Sequence, residues 1–296
     1  MNNVASLPKA GRGARAPVSA ACKDIVVHLD GTAEDEIRLS HAEHLAAQFD
    51  ARLTGLFTNV LPDPALYIGE FGTMALGQLT EAMAKEGDAV NSRLEQRFAL
   101  LGVTNELRRI ETLPGNVDYA VAAEARWADL FVASCPRGDQ LDRWRPMFER
   151  VMFDGGRGLY LVPPGAKAKP AIETVMIAWV DSCQATRALA EALPLLKLAK
   201  RVCLATVQET AHGRLGGAEA LADVAAHLSR HGVEASVNVL SGLDEPSVAL
   251  LDEAHRISAD LLVAGAYGHS RFREWILGGV TENLLATADL PLLLAH

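Results

Sequence analysis

A stretch of this chain occurs twice. GVTNELRRIETLPGNVDYAVAAEARWADLFVAS, beginning at Gly102, returns with one residue of length difference as GVEASVNVLSGLDEPSVALLDEAHRISADLLVAG, beginning at Gly232. A repeat of that size confines the chain to two similar folding units. In each copy an alternating segment, Glu106 to Ile110 or Ala235 to Leu240, passes through a turn containing Gly or Pro into an amphipathic helix. An unbroken apolar run follows Ala-Asp, Leu130 to Ala133 in one copy and Leu261 to Ala264 in the other. Such runs predict parallel strands covered by helices on both faces.

The halves also begin alike. DIVVHLDGTAEDEIRLSHAEHLAAQFDARLTGLFTNV and TVMIAWVDSCQATRALAEALPLLKLAKRVCLATV each read as buried strand, polar turn, helix and second buried strand. The predicted fold class is therefore α/β: two tandem doubly wound parallel-sheet domains, over residues 22–165 and 170–296. VPPGAKAKPAIE, residues 162–173, reads as the linker, and residues 1–21 as a loose N-terminal tail. Residues 61–79, LPDPALYIGEFGTMALGQL, read as a first-half insertion serving as a lid or interface.

Doubly wound sheets bind ligands beyond the carboxyl ends of their strands. At that place after Leu261 to Ala264 lies GAYGHSRFREWILGGVTENLL, with Gly265, Gly268, Gly278 and Gly279. Glycines let a backbone approach a bulky group, and Gly278-Gly279 precede a predicted helix whose free N–H groups can hold an anion. A phosphate is the natural guest, although glycines at such corners also simply turn the chain.

The spacing Gly265-x2-Gly268-x9-Gly278, followed by Gly279-Val280-Thr281, resembles the nucleotide-binding signature of the universal stress protein family, and the two halves together resemble its tandem form. The resemblance covers about residues 22 to 296. It implies an adenine nucleotide, ATP or ADP/AMP, with Mg as an optional companion. It further implies Gly265, Gly268, Gly278, Gly279, Val280 and Thr281 around the phosphates, Val207 at the base, Asp181 near the ribose, and Ala264 and Tyr267 lining the cleft. This chain departs from the pattern twice. Gly279 stands where the family usually carries Ser or Thr, so a phosphate-facing hydroxyl is missing. In a gapless alignment Val180, not Asp181, falls at the acidic position. Capping the following helix is the competing role for Asp181.

The first half keeps an acidic opening turn at Asp30-Gly31-Thr32 but lacks the glycine signature. Cys135, Pro136 and Arg137 occupy that corner, and a proline there lacks an N–H donor. The first half is expected to be empty and structural.

The remaining features narrow the function further. A formal net charge of -9 disfavours nucleic acid and anionic membranes as general partners. Cys22, Cys135, Cys183 and Cys203 form no C-x-x-C pair, which points to idle thiols in a reducing cytoplasm. No apolar run reaches the ~20 residues of a membrane span. His41, Glu43 and His44 share helical spacing but lack further metal ligands, and Asp142-Arg143-Trp144-Arg145 suits a loop or partner contact. No P-loop, H-E-x-x-H or G-x-S-x-G occurs. The expected protein is a cytoplasmic adenine-nucleotide binder of stress response or signalling, a homodimer acting on an unidentified protein partner, and a binder rather than an enzyme. An adenine-nucleotide-using enzyme of the same fold, or a scaffold that has lost nucleotide binding, are the alternatives.

Overall fold

A computed structural model describes residues 22–67, 70–138, 140–208, 217–241, 245–266 and 279–296. The first half runs β1 (Asp24–Leu29), α1 (Asp35–Phe49), β2 (Arg52–Val60), α2 (Glu70–Phe98), β3 (Asn105–Thr112), α3 (Val117–Ala125), β4 (Leu130–Ser134), α4 (Gln140–Phe153) and β5 (Leu159–Val162). The second repeats the alternation with β6 (Thr174–Ala178), α5 (Cys183–Leu198), β7 (Arg201–Gln208), α6 (Gly217–Arg230), β8 (Ala235–Ser241), α7 (Pro246–Arg256), β9 (Leu261–Gly265), α8 (Gly279–Thr287) and β10 (Leu292–Ala295).

All the strands form one ten-stranded sheet in the order β3-β2-β1-β4-β5-β10-β9-β6-β7-β8. Every neighbouring pair is parallel except β5 with β10, where Leu159 faces Leu294 and Leu161 faces Leu292 across an antiparallel join. That join makes the halves a pseudo-symmetric pair within a single chain. It also sends their strand carboxyl ends to opposite edges of the sheet, so the two potential ligand clefts cannot merge.

Each face of the sheet carries an apolar core that runs through both halves. One packs Leu39, Leu45, Phe49, Leu94 and Phe98 of α1 and α2 with Leu189, Leu195, Leu221 and Leu228 of α5 and α6. The other packs Val121, Met147, Phe148 and Val151 of α3 and α4 with Leu250, Leu251, Leu284 and Leu285 of α7 and α8. Strands buried on both sides explain why Leu130 to Ala133 and Leu261 to Ala264 are apolar without alternation.

The expected loop over residues 61–79 requires correction. Residues 70–79 belong to α2, a 29-residue helix. Gly72 and Gly77 resemble loop signals, since each costs roughly 1 kcal/mol relative to alanine in a helix. The far end of α2 outweighs that cost by burying Leu94 and Phe98 against β2. Only the approach is irregular: Asp63 Oδ1 accepts from the Ala65 N–H at 2.9 Å and starts a single 3-10 turn, Pro64–Leu66.

Candidate functional site

The second-half cleft lies at the topological switch point, where β6 separates β7 from β9. A cavity of about 230 Å³ opens there between the ends of β6, β7 and β9 and the starts of α7 and α8. Of the residues that sequence predicts for the site, Val180, Val207, Ala264, Gly265, Gly279, Val280 and Thr281 all line it. Tyr267, Gly268 and Gly278 lie outside the described residues. Asp181 is exposed and does not line the cavity. Nor does it cap α5: Ser182 does, its Oγ accepting from the Ala185 N–H at 3.1 Å. Ser182 turns back toward the helix and the cavity, which leaves Asp181 facing solvent.

Gly265 and Gly279 answer different needs. A Cβ on Gly265 would sit 2.6 Å from the Ala185 nitrogen and 2.7 Å from the Gln184 carbonyl carbon, so this glycine lets β9 meet the backbone of the first turn of α5. A Cβ on Gly279 would meet nothing within 4 Å among the described residues, and its φ lies outside the left-handed region. Space is left beside the first turn of α8, where the leading N–H groups of a helix have no intrahelical acceptor. Thr281 is buried and lines the cavity.

Sequence reasoning did not single out Trp179, Ser182, Thr206, Pro246, Leu250 and Leu284, which complete most of the wall. Pro246, at the first position of α7, carries a recognisable helix-start signal, as does Ser182. Trp179 carries none. Its indole N–H is buried without an acceptor among the described residues, a state that costs about 1 to 3 kcal/mol. The walls thus combine an apolar slot, an orphaned donor, hydroxyls and an open helix start. Those features suit a flat heterocycle joined to an anion.

Counting along the paired strands shows what the first half does instead. Because Ile25 pairs with Leu130 as Val175 pairs with Leu261, Asp30 corresponds to Val180 and His28 to Ala178. The same registers match Leu56 with Ala205 and Thr58 with Val207. His28 is 1% exposed, its Nε2 lies 2.9 Å from Thr58 Oγ1, and Trp144 packs edge-on to its ring at 5.1 Å. Burial, helped by the Arg38 charge, pushes the His28 pKa down to about 3. His28, Thr58 and Trp144 therefore pack together at this depth, and the first-half cavity, of about 470 Å³, lies beside them among Val60, Pro114, Val117, Arg143, Trp144 and Met147. Trp144 is supplied by α4. The cluster Asp142-Arg143-Trp144-Arg145 accordingly lies on a helix, with Trp144 in the core and not in a loop.

The acidic turn of the first half is also engaged internally. Arg38 pairs with Asp30 at 2.5 Å and with Asp35, while Asp35 accepts from the backbone N–H groups of Asp30 and Gly31 at 3.1 and 2.9 Å. Burial opposes ionisation of Asp30, but Arg38 and the Thr32 hydrogen bonds hold its carboxyl well below the usual range. Burial, together with the charge of Asp30, pushes the Asp35 pKa up to about 6.

Two other features stand apart from the strand ends. His41 is buried between Tyr160 Oη at 3.3 Å and the Ala166 carbonyl at 3.2 Å, Glu43 pairs with Arg97 at 3.0 Å, and His44 borders a cavity of about 260 Å³ beside the linker. Among the described residues, no three His, Cys, Asp or Glu side chains converge as metal ligands. No helix is long and apolar enough to cross a membrane, again among the described residues.

Comparison with known proteins agrees with this anatomy. Residues 172–296 match the universal stress protein family. Over 76 residues the chain is 32% identical to the stress response protein NhaX of Bacillus subtilis, a match that spans 26% of this chain and 45% of that relative. A universal stress protein from Archaeoglobus fulgidus superposes with a TM-score of 0.66 at 15% identity, covering 92% of this chain and 97% of its own. A functionally unknown protein from Pseudomonas aeruginosa gives 0.58 at 13% identity, covering 94% and 93%. Residues 172–296 thus match the universal stress protein family, and the full length shares the architecture of solved universal stress proteins, as two copies of one fold in tandem.

Proposed function

We propose that this chain is an adenine-nucleotide-binding protein of stress response or signalling that holds one nucleotide, in the cavity of its second half. One observation carries the reading. The cavity at the strand ends is bounded on one side by the start of α8, with Gly279, Val280 and Thr281 in its wall, while in the first half His28, Thr58 and Trp144 pack together and the neighbouring cavity of about 470 Å³ has Arg143, Trp144 and Met147 of α4 in its wall instead. In this arrangement Val180, Val207 and Leu250 enclose the base, the Trp179 indole N–H finds an acceptor on the ligand, and the N–H groups opening α8 receive phosphate oxygens. Each helix-start interaction contributes about 0.3 to 2 kcal/mol. Any Mg travels with the phosphates.

The stress-response part draws support from the relation to NhaX, and a cytoplasmic setting suits the unpaired cysteines. The protein acts as a binder whose occupancy changes the surface shown to a protein partner, with slow hydrolysis at most. The outer strands β3 and β8 end the sheet, and a second chain covering them would give a homodimer.

Mass spectrometry of small molecules released from purified protein, followed by calorimetric titration with ATP, tests the proposal. A released adenine nucleotide and a stoichiometry near one per chain are expected. A stoichiometry near two, or no binding, would overturn it. Steady-state turnover approaching about 1 per second with any acceptor would favour an enzyme instead. A monomeric mass by light scattering at micromolar concentration would refute the homodimer.

A further inference from the structure

The helix that opens onto the cavity is gripped at its other end by the opposite half of the chain. Arg137 lies on the corner after β4, the place where the second half carries its glycine signature. Its guanidinium reaches across the join and donates to the carbonyls of Ala286 and Ala288, at the end of α8. Cys135, on the same corner, donates from Sγ to the Leu285 carbonyl at 3.2 Å. Arg145 of α4 stands 3.8 Å from the carboxylate of Glu282, the acidic residue in the first turn of α8.

The terminal carbonyls of a helix lack intrahelical donors, and a cation beside them complements the helix dipole. The last turn of α8 has no basic residue of its own. The first half supplies that cation. The described span of α8, Gly279–Thr287, is roughly 13 Å long at 1.5 Å per residue, so fixing one end bears on the aim of the other. At that other end Gly279, Val280 and Thr281 line the cavity.

We propose that Arg137 is a positioning residue for the anion end of the second-half site, so that the first half sets the nucleotide affinity of its partner half. The proposal rests on the nucleotide reading above. It also predicts the reverse effect. Binding free energies are linked, so a nucleotide that orders the start of α8 must tighten the grip of Arg137 on its end, and occupancy is thereby reported to the first half.

The experiment compares the full-length parent with Arg137→Ala in three measurements: titration with ATP, titration with adenosine, and amide hydrogen exchange without ligand. Expected are an ATP affinity weaker by about tenfold, adenosine unchanged within a factor of two, and faster exchange confined to α8. Titration of Arg137→Lys should recover part of the ATP loss, because a cation returns to the helix end. Equal losses for ATP and adenosine, with exchange accelerated throughout the sheet, would show a merely structural role and overturn the proposal. So would ATP binding within a factor of two of the parent. If the parent itself does not bind ATP, the nucleotide reading fails on its own account, and the exchange measurement alone judges the grip: unchanged exchange in α8 would overturn it.

Discussion

Replacing Gly279 with serine tests whether phosphates sit at the start of α8. Among the described residues nothing lies within 4 Å of a Cβ at that position, and φ there is outside the left-handed region, so Gly279→Ser meets no clash with them and no backbone strain. Serine also loses less backbone freedom than glycine on entering a helix, so the unliganded protein should melt at the parent temperature or slightly above it. The added hydroxyl supplies one charge-assisted hydrogen bond to a phosphate oxygen, worth about 1.5 to 3 kcal/mol at best. After the ordering of the side chain, about 1.4 kcal/mol is a fair net value, which corresponds to a tenfold tighter Kd for ATP. Adenosine presents no phosphate and should bind variant and parent within a factor of two. Isothermal titration with both ligands, beside thermal melts of the free proteins, measures each quantity. If the variant melts like the parent and its ATP affinity stays within twofold, the phosphates lie elsewhere and Gly279 only begins a helix.

The other glycine of the wall should behave in the opposite way: Gly265→Ala forces β9 away from the Ala185 and Gln184 backbone and should cost about 1 to 3 kcal/mol, lowering Tm by several degrees with or without ATP. An unchanged melt would show that α5 yields freely there. Acid should weaken the fold through His28, whose folded pKa of about 3 lies below its unfolded value of 6.5. Between those limits the unfolded chain binds the extra proton, so this contribution is complete above pH 6.5 and is lost as pH falls, by about 2 kcal/mol at pH 5. Asp35, raised to about 6, acts in the opposite sense between that value and its unfolded 3.8, while Asp30, held low beside Arg38, loses its contribution only at more acidic pH. Urea unfolding of parent and His28→Gln at pH 7 and pH 5 isolates the histidine: the parent should lose about 2 kcal/mol more than the variant, and equal losses would refute the assignment.

Much of this architecture is legible in the sequence because period and repetition depend on the backbone. The runs Leu130 to Ala133 and Leu261 to Ala264 became β4 and β9, and the segments from Glu106 and Ala235 became β3 and β8. What stayed hidden depends on direction. Asp181 and Ser182 are both small, polar helix-start residues, and only the turn of the chain after β6 decides that Ser182 faces inward and Asp181 outward. Similarly, Gly72 and Gly77 suggested a loop because the buried anchors of α2, Leu94 and Phe98, lie far along the chain from them.

The difference between the two clefts is of this second kind. Ala178, Ala205 and Val207 in the second half stand where His28, Leu56 and Thr58 stand in the first, and either set satisfies the pattern of a buried parallel strand. Period cannot tell them apart; volume can. The larger set binds its own polar atoms, His28 to Thr58, beneath the α4 tryptophan, Trp144. The smaller set leaves a void beside a helix start and, among the described residues, an indole N–H without an acceptor. A buried donor left in that state is costly to the fold unless something else meets it. On the proposed reading that something is a ligand in the second half, and Arg137 of the first half, donating to the Ala286 and Ala288 carbonyls, holds the far end of α8 for it.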